Sequence, residues 1–239
     1  MTIPALRNYI GLLFMVFVLL PSGCATTCPN VQSILSESGI EPTIESRPST
    51  WAAQMKGHSC NVPNFYKIDK KVYRSARPTE AGLKLLCEKT DIQTIINLEM
   101  YYKDPDITCK KQGKDKTLIK ESEPVSGWPP ESPDTIRDKV IKVMSILLDS
   151  KRKGDFLIHC WQGKDRTGLM SAMYSILRCN ERTNGGATDT CKKEAIDEMV
   201  NGGYGFNTEK YYYFINYIKS ENINKLQEDI DKEVSSASR

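Results

Sequence analysis

A run of uninterrupted apolar residues extends from Ile10 to Leu20, after a short start made positive by Arg7 and the amino terminus. It is shorter than the roughly 20 apolar residues that span a bilayer, and it fits the core of a signal peptide, about 7–15 residues. Residues 26 to about 60 mix Ser, Thr, Pro and Asn without periodicity. They predict a tether or irregular extension over 24–63, with the compact domain beginning near Asn64. From there the pattern turns regular. Phe65–Ile68 and Val72–Arg74 predict two short strands joined by the turn Asp69-Lys70-Lys71. Thr79 is placed to cap a helix carrying Leu83, Leu85, Leu86 and Cys87.

Thr94–Leu98 and Phe156–Ile158 are continuous apolar strands, as a sheet covered on both faces requires. Leu118-Ile119 is a weaker strand after a charged loop. Ser132-Pro133 starts a helix with Ile136, Val140, Val143, Met144, Leu147 and Leu148 on one stripe. A second amphipathic helix begins near Arg166 and carries Leu169, Met170, Met173, Ile176 and Leu177. Further helices are expected around Lys192–Asn201, Thr208–Ser220 and Asn222–Ser235. Strands alternating with helices predict an α/β fold with a mostly parallel central sheet flanked by helices. The domain proper covers 64–220, with a C-terminal helix or tail over 221–239.

Composition changes this picture little. Hydrophobic residues at 39% and charged residues at 26% suit an ordinary folded domain. A net charge of +3 from 33 basic and 30 acidic residues provides no footprint for nucleic acid. The end of the leader adds more. Pro21-Ser22-Gly23-Cys24-Ala25 resembles a bacterial lipobox, with Pro21 where Leu is usual; cleavage after Ala25 is the alternative. Residues 1–23 are thus expected to direct export, with Cys24 lipidated and the protein periplasmic, anchored at the outer membrane or secreted. A lipid on Cys24 is the only membrane contact expected.

In an oxidising compartment the remaining cysteines form an inventory of disulfides. With Cys24 and Cys160 set aside, Cys28, Cys60, Cys87, Cys109, Cys179 and Cys191 remain. Cys179 and Cys191 bracket a polar, Gly-rich segment between two helical patterns and are predicted to pair. The other pairings stay open, and Cys87, on an apolar helix face, also fits a buried thiol.

The chemistry concentrates where strand Phe156–Ile158 runs into His159-Cys160-Trp161-Gln162-Gly163-Lys164-Asp165-Arg166-Thr167-Gly168. A loop between a strand end and a helix N-terminus turns its backbone N–H groups inward and makes a nest for a phosphate dianion. Arg166 offers a planar fork to two phosphoryl oxygens. The same positive surroundings favour a thiolate at Cys160. Gly163 lets the loop curl, and Thr167 is placed to donate to the sulfur. Trp161, Gln162, Gly163 and Lys164 complete the predicted substrate-binding loop. Trp161 either stacks on a substrate ring or packs.

This segment resembles the signature of the cysteine-based protein tyrosine phosphatase superfamily, in its bacterial exported dual-specificity-like branch. Three further stretches match that branch: Val72–Pro78, Thr94–Leu98, and Glu194–Met199 with Gly202–Gly205. The resemblance spans roughly Asn64 to Lys219. It implies a phosphatase-like α/β fold in which Cys160 attacks phosphorus and a water later releases phosphate, without metal or organic cofactor. It implies a phosphorylated protein, or alternatively a phosphoinositide, as substrate. Beside these stands a catalytically inactive phosphate-binding surface module.

The resemblance places His159 as a shaper of the loop, and Arg74 and Arg77 at the phosphate entrance or as solvated turn residues. It also calls for a general acid upstream, within Glu123–Asp134. No Asp stands clearly at the expected point there, so Asp165 ranks first, Asp134 second and Glu131 third.

Overall fold

The computed structural model describes residues 48, 50–55, 61–127 and 131–237. The leader, Cys24, Cys28 and Cys60 lie outside the described residues. Six strands form one sheet in the order β1-β2-β3-β8-β4-β7, where β1 is Ala53–Gln54, β2 Tyr66–Lys67, β3 Val72–Ala76, β4 Ile92–Asn97, β7 Ile119–Ser122 and β8 Asp155–Cys160. Pairings β3–β8, β8–β4 and β4–β7 are parallel, while β1 and β2 add antiparallel at one edge. The sheet is therefore mostly parallel through its centre, as the alternation of elements predicted.

Period-two alternation sorts the central strands onto two faces. In β8, Phe156, Ile158 and Cys160 join the larger core, while Leu157 joins the other. Ile96 and Ile95 divide β4 in the same way. The larger core is covered by α2 (Pro133–Leu148), α3 (Asp165–Arg182), α4 (Thr188–Asn201), α5 (Tyr212–Ser220) and α6 (Ile223–Ser236). The smaller is covered by α1 (Glu80–Lys89) and a separate hairpin of β5 (Thr108–Lys111) and β6 (Lys114–Thr117). Both central strands are buried on both sides, which is why they read as unbroken apolar runs.

The helix starts expected at Thr79 and Ser132 carry their side-chain caps. Thr79 Oγ1 accepts from the Gly82 N–H at 3.0 Å, and Ser132 Oγ from Thr135 at 3.2 Å with Pro133 beside it. The C-terminal helix is part of the domain rather than a tail. Ile223, Leu226 and Ile230 are buried in the larger core, and Arg137 of α2 pairs with Glu221 and Asp229. The compact part also starts before Asn64, because β1 pairs with β2 and Ala52 and Met55 are buried.

Two disulfides join these elements. Cys179–Cys191 ties the last turn of α3 to the first turn of α4, the predicted pairing. The segment between them is helical at both ends, and the true connection, residues 183–187, is short. Asn184 (φ 48°) and Gly185 (φ 78°) take the left-handed conformation that ends α3. Cys87–Cys109 fastens α1 to the hairpin, so Cys87 is bonded rather than a free buried thiol.

Candidate active site

Strand β8 delivers Cys160 to the C-terminal edge of the sheet, in register with Ala76 of β3. The sulfur is buried and free; among the described residues it is the one unpaired thiol. From there the chain turns directly into α3. The N-cap position of that helix, Lys164, provides no side-chain cap, so the first-turn amides are left for an anion. Gly163 is required by two things at once. Its φ is +66°, and a Cβ there would lie 2.4 Å from the Ala76 nitrogen. The loop rests directly on the end of β3.

A pocket of about 690 Å³ opens above this loop. It is lined by Cys160, Trp161, Gln162, Asp165 and Arg166 of the loop and helix start, by Ser126 and Gly127 after β7, and by Lys210 and Tyr211. Arg77, Glu99, Met100, Tyr101 and Tyr102 complete the lining. Arg166 Nη1 donates to the Leu98 carbonyl at 3.2 Å, which anchors a guanidinium that lines the same pocket as the thiol. Trp161 is 63% exposed and Tyr101 94% exposed, so the rim is aromatic. Thr167 is fully buried, and its hydroxyl has no partner among the described residues.

The arginines of β3 and its exit divide sharply. Arg77 lines the pocket, forms a fork with Glu99 and stacks on Tyr102 at 3.8 Å; its hydrogen bond to Glu99 raises its pKa. Arg74 does neither of the things expected of it. It is 1% exposed, neither at the phosphate entrance nor solvated, and Nη2 donates to the Gly163 carbonyl at 2.8 Å from behind the loop. Because β3 alternates, Arg74 shares the face of Val72 and Ala76 and points under the loop. Asn64 supports the same stretch, with Nδ2 at 3.1 Å from the Gln162 carbonyl and 3.2 Å from that of Gly163. Sequence reasoning had no role for Asn64; its φ of 53° is the sort of position where Asn is favoured, but no periodicity marks it.

His159 alternates to the opposite face from Cys160. It is fully buried, and Nε2 meets Asp104 Oδ2 at 3.0 Å. It braces the strand end against Asp104 and does not line the pocket.

The three acid candidates separate as well. Asp165 lines the pocket, and burial holds its carboxyl above the usual range, opposed by the Asn207 N–H at 2.9 Å and by Lys164, Lys210 and Arg166. Asp134 is exposed in the first turn of α2 and does not line the pocket, where it complements the helix dipole. Glu131 turns one oxygen inward to accept from the Ser126 N–H at 3.0 Å. Trp128, Pro129 and Pro130 lie outside the described residues.

Comparison with known proteins follows the same lines. A model described as the tyrosine phosphatase family matches residues 60–179. The dual specificity protein phosphatase TpbA of Pseudomonas aeruginosa is 29% identical over 164 residues, covering 68% of this chain. The chain spans 63% of that relative's length, and 56% of the TpbA of a second strain. Among solved structures, P. aeruginosa TpbA superposes with a TM-score of 0.55 at 23% identity, over 78% of this chain and 99% of that one. A cysteine-to-serine TpbA in complex with phosphotyrosine matches equally. The core catalytic domain of the PP-IP phosphatase SIW14 of S. cerevisiae, in complex with citrate, gives 0.50 at 18% identity, covering 71% and 92%. At such identities these superpositions establish the shared fold.

Proposed function

This chain belongs to the tyrosine phosphatase family, and from that footing we propose that it hydrolyses phosphomonoesters through a phosphocysteine at Cys160, with phosphorylated protein as substrate. One observation carries the reading: a free thiol lines a pocket together with Arg166 and the uncapped start of α3. The thiolate attacks phosphorus and the ester P–O bond breaks. Asp165, its proton held by burial, gives that proton to the departing oxygen. Its carboxylate then takes a proton from water as the water attacks phosphorus. The S–P bond breaks, releasing phosphate and restoring the thiolate. The loop amides and Arg166 balance the charge that gathers on the equatorial oxygens. Gln162, Gly163, Lys164 and Thr167 serve as binding or loop-shaping residues around that anion.

The aromatic rim favours an aryl phosphate carried on a polypeptide, since Trp161 and Tyr101 are both exposed and both line the pocket. TpbA, a relative named for dual specificity and solved with phosphotyrosine, supports the same substrate class. A phosphoinositide is the second reading. Lys164 and Lys210 line an adjoining groove of about 490 Å³, but Asp165 and Glu209 line it too and offset their charge.

Export also belongs to this reading. Two disulfides, Cys87–Cys109 and Cys179–Cys191, suit an oxidising compartment, and the apolar leader with Cys24 suits a lipid-anchored periplasmic protein. Steady-state turnover of phosphotyrosyl, phosphoseryl and phosphothreonyl peptides against soluble phosphoinositides tests the proposal. Faster turnover of phosphotyrosyl peptide is expected. Preference for the inositol lipids would install the second reading, and phosphate binding without any turnover would make the protein a binding module.

A further inference from the structure

Arg74 is a buried cation with an unusual set of neighbours. Glu198, a carboxylate whose charge acts on it, is already committed: it accepts from the Ala52 N–H at 2.7 Å and the Tyr204 hydroxyl at 2.6 Å. Among the described residues, no carboxylate pairs with Arg74 directly. What holds the guanidinium is the face of Tyr204, 3.6 Å from ring centroid to Cζ, and the carbonyl of Gly163 at 2.8 Å. Its Nε has no partner among the described residues. Burial disfavours the charge, and Tyr204, Glu198 and Cys160 act in that order to restore it. A buried charge costs stability unless hydrogen bonds and nearby opposite charge offset its desolvation, and here that offset is partial.

The geometry of the peptide bond says what the place is for. In a trans peptide the C=O of one residue and the N–H of the next point in opposite directions. Arg74 and Asn64 hold the Gly163 carbonyl on the β3 side of the loop, and Asn64 holds the Gln162 carbonyl there too. The N–H groups of Gly163 and Lys164 then face away from β3. Were the Gly163 carbonyl free to flip, it would turn a partial negative charge into the space meant for an anion.

We propose that Arg74 is a positioning residue that locks the Gly163–Lys164 peptide with its N–H facing the pocket, so that the loop is set for a phosphate dianion before one arrives. It touches neither phosphate nor leaving group. A lysine there keeps a charge but loses both the fork and the planar face that stacks on Tyr204. The proposal rests on the phosphatase reading, so anion binding is measured apart from turnover.

The test uses the full chain with inorganic phosphate as the probe. Arg74→Lys and Arg74→Met are compared with wild type for phosphate affinity by calorimetry, for kcat and KM on an aryl phosphate, and for thermal midpoint. The folded fraction of each variant is expected to bind phosphate at least about ten-fold more weakly and to lose kcat/KM in proportion, with lysine giving no rescue. Tyr204→Phe, which keeps the ring under Arg74, is expected to hold phosphate within about two-fold.

A purely structural role would lower the thermal midpoint and leave phosphate affinity of the folded fraction unchanged, and that result overturns the proposal. So does rescue by lysine. Should both Arg74 variants fail to fold, Tyr204→Leu decides it: weakened phosphate binding supports the lock, and wild-type affinity refutes it. A wild type that binds no phosphate would sink the phosphatase reading along with this one.

Discussion

Two loops face each other across the pocket, and they are built on opposite principles. The loop from Cys160 to Arg166 is pinned from behind by Arg74 and Asn64, joined to Arg77 through the Trp161 carbonyl, and seated so tightly on β3 that Gly163 has no room for a Cβ. The facing segment after β7 is fastened at its start, where Glu123 and Val125 donate to the Asn97 and Leu98 carbonyls. Farther along, Ser126 donates to Glu131 at 3.0 Å, and the Gly127 carbonyl is met by the Tyr211 hydroxyl at a longer 3.3 Å. One side is a rigid mould for a fixed shape, the phosphoryl group; the other borders whatever carries it. Strong constraint belongs where the chemistry does not vary between substrates.

The heaviest blow to the rigid side is Cys160→Ser. A hydroxyl in place of the thiol is a far poorer nucleophile at neutral pH, so turnover of an aryl phosphate is expected to fall by about 10⁴-fold or more. Phosphate should still bind, because the mould is intact. Stopped assays with a sensitive product readout would reveal residual activity, and activity near wild type would end the assignment of Cys160.

Which side supplies the proton comes next in size. Asp165 belongs to the rigid side and Glu131 and Asp134 to the other. Asp165→Asn is expected to slow substrates with poor leaving groups by about 10²–10⁴-fold and activated aryl phosphates much less. Burial raises its pKa, so the protonated acid persists to higher pH than for an exposed Asp, and the alkaline fall of kcat should vanish in the variant. If Glu131→Gln produces that leaving-group dependence instead, the acid comes from the facing loop and the division of labour is reversed.

The sequence made the rigid side visible because strand, loop and helix are contiguous there, and each loop position has a chemical use of its own. What supports the loop was hidden. Arg74 and Asn64 lie more than 85 residues upstream of Gly163, and nothing local says that an arginine in an alternating strand points under a loop instead of into water. In the sequence the hairpin β5–β6 has the look of a charged loop because its residues lack an apolar stripe. Its turn, Gln112-Gly113 with both φ positive, has Gln where Asn or Asp would have announced it. Without the hairpin, Cys109 has no visible neighbour, and so Cys87–Cys109 could not be read. Cys179–Cys191 could, because both lie near the ends of consecutive helices; the turns of helix between them are exposed, and their polarity mimicked a loop.

A finer probe of the mould is Asn64→Gly. Glycine accepts the φ of 53° without strain, so the change removes the amide donors and little else. The Gln162 and Gly163 carbonyls and that of Tyr204 then lose a partner. About 1–2 kcal/mol of stability should go with them, read as a lower midpoint in urea. A fall of about ten-fold in kcat/KM is expected if the same contacts orient the loop. A loss of stability with kcat/KM unchanged would mean that Arg74 alone orients it.

The smallest effect should come from the facing side. Tyr211→Phe removes the hydroxyl that reaches Gly127 and leaves the ring, which stacks on Phe214 at 5.5 Å. A neutral hydrogen bond of 3.3 Å is near the long end of useful geometry and contributes about 0.5–1.5 kcal/mol at most. With the mould untouched, phosphate affinity should not change, since inorganic phosphate needs only the floor of the pocket. What should change is KM for a peptide, by about two- to five-fold, because the tip at Gly127 borders the part of the substrate beyond the phosphoryl group. Comparing the two ligands in one variant isolates the facing loop from the mould. Equal weakening of phosphate and peptide would show that Tyr211 helps to shape the anion site, and that the two sides of the pocket are mechanically one.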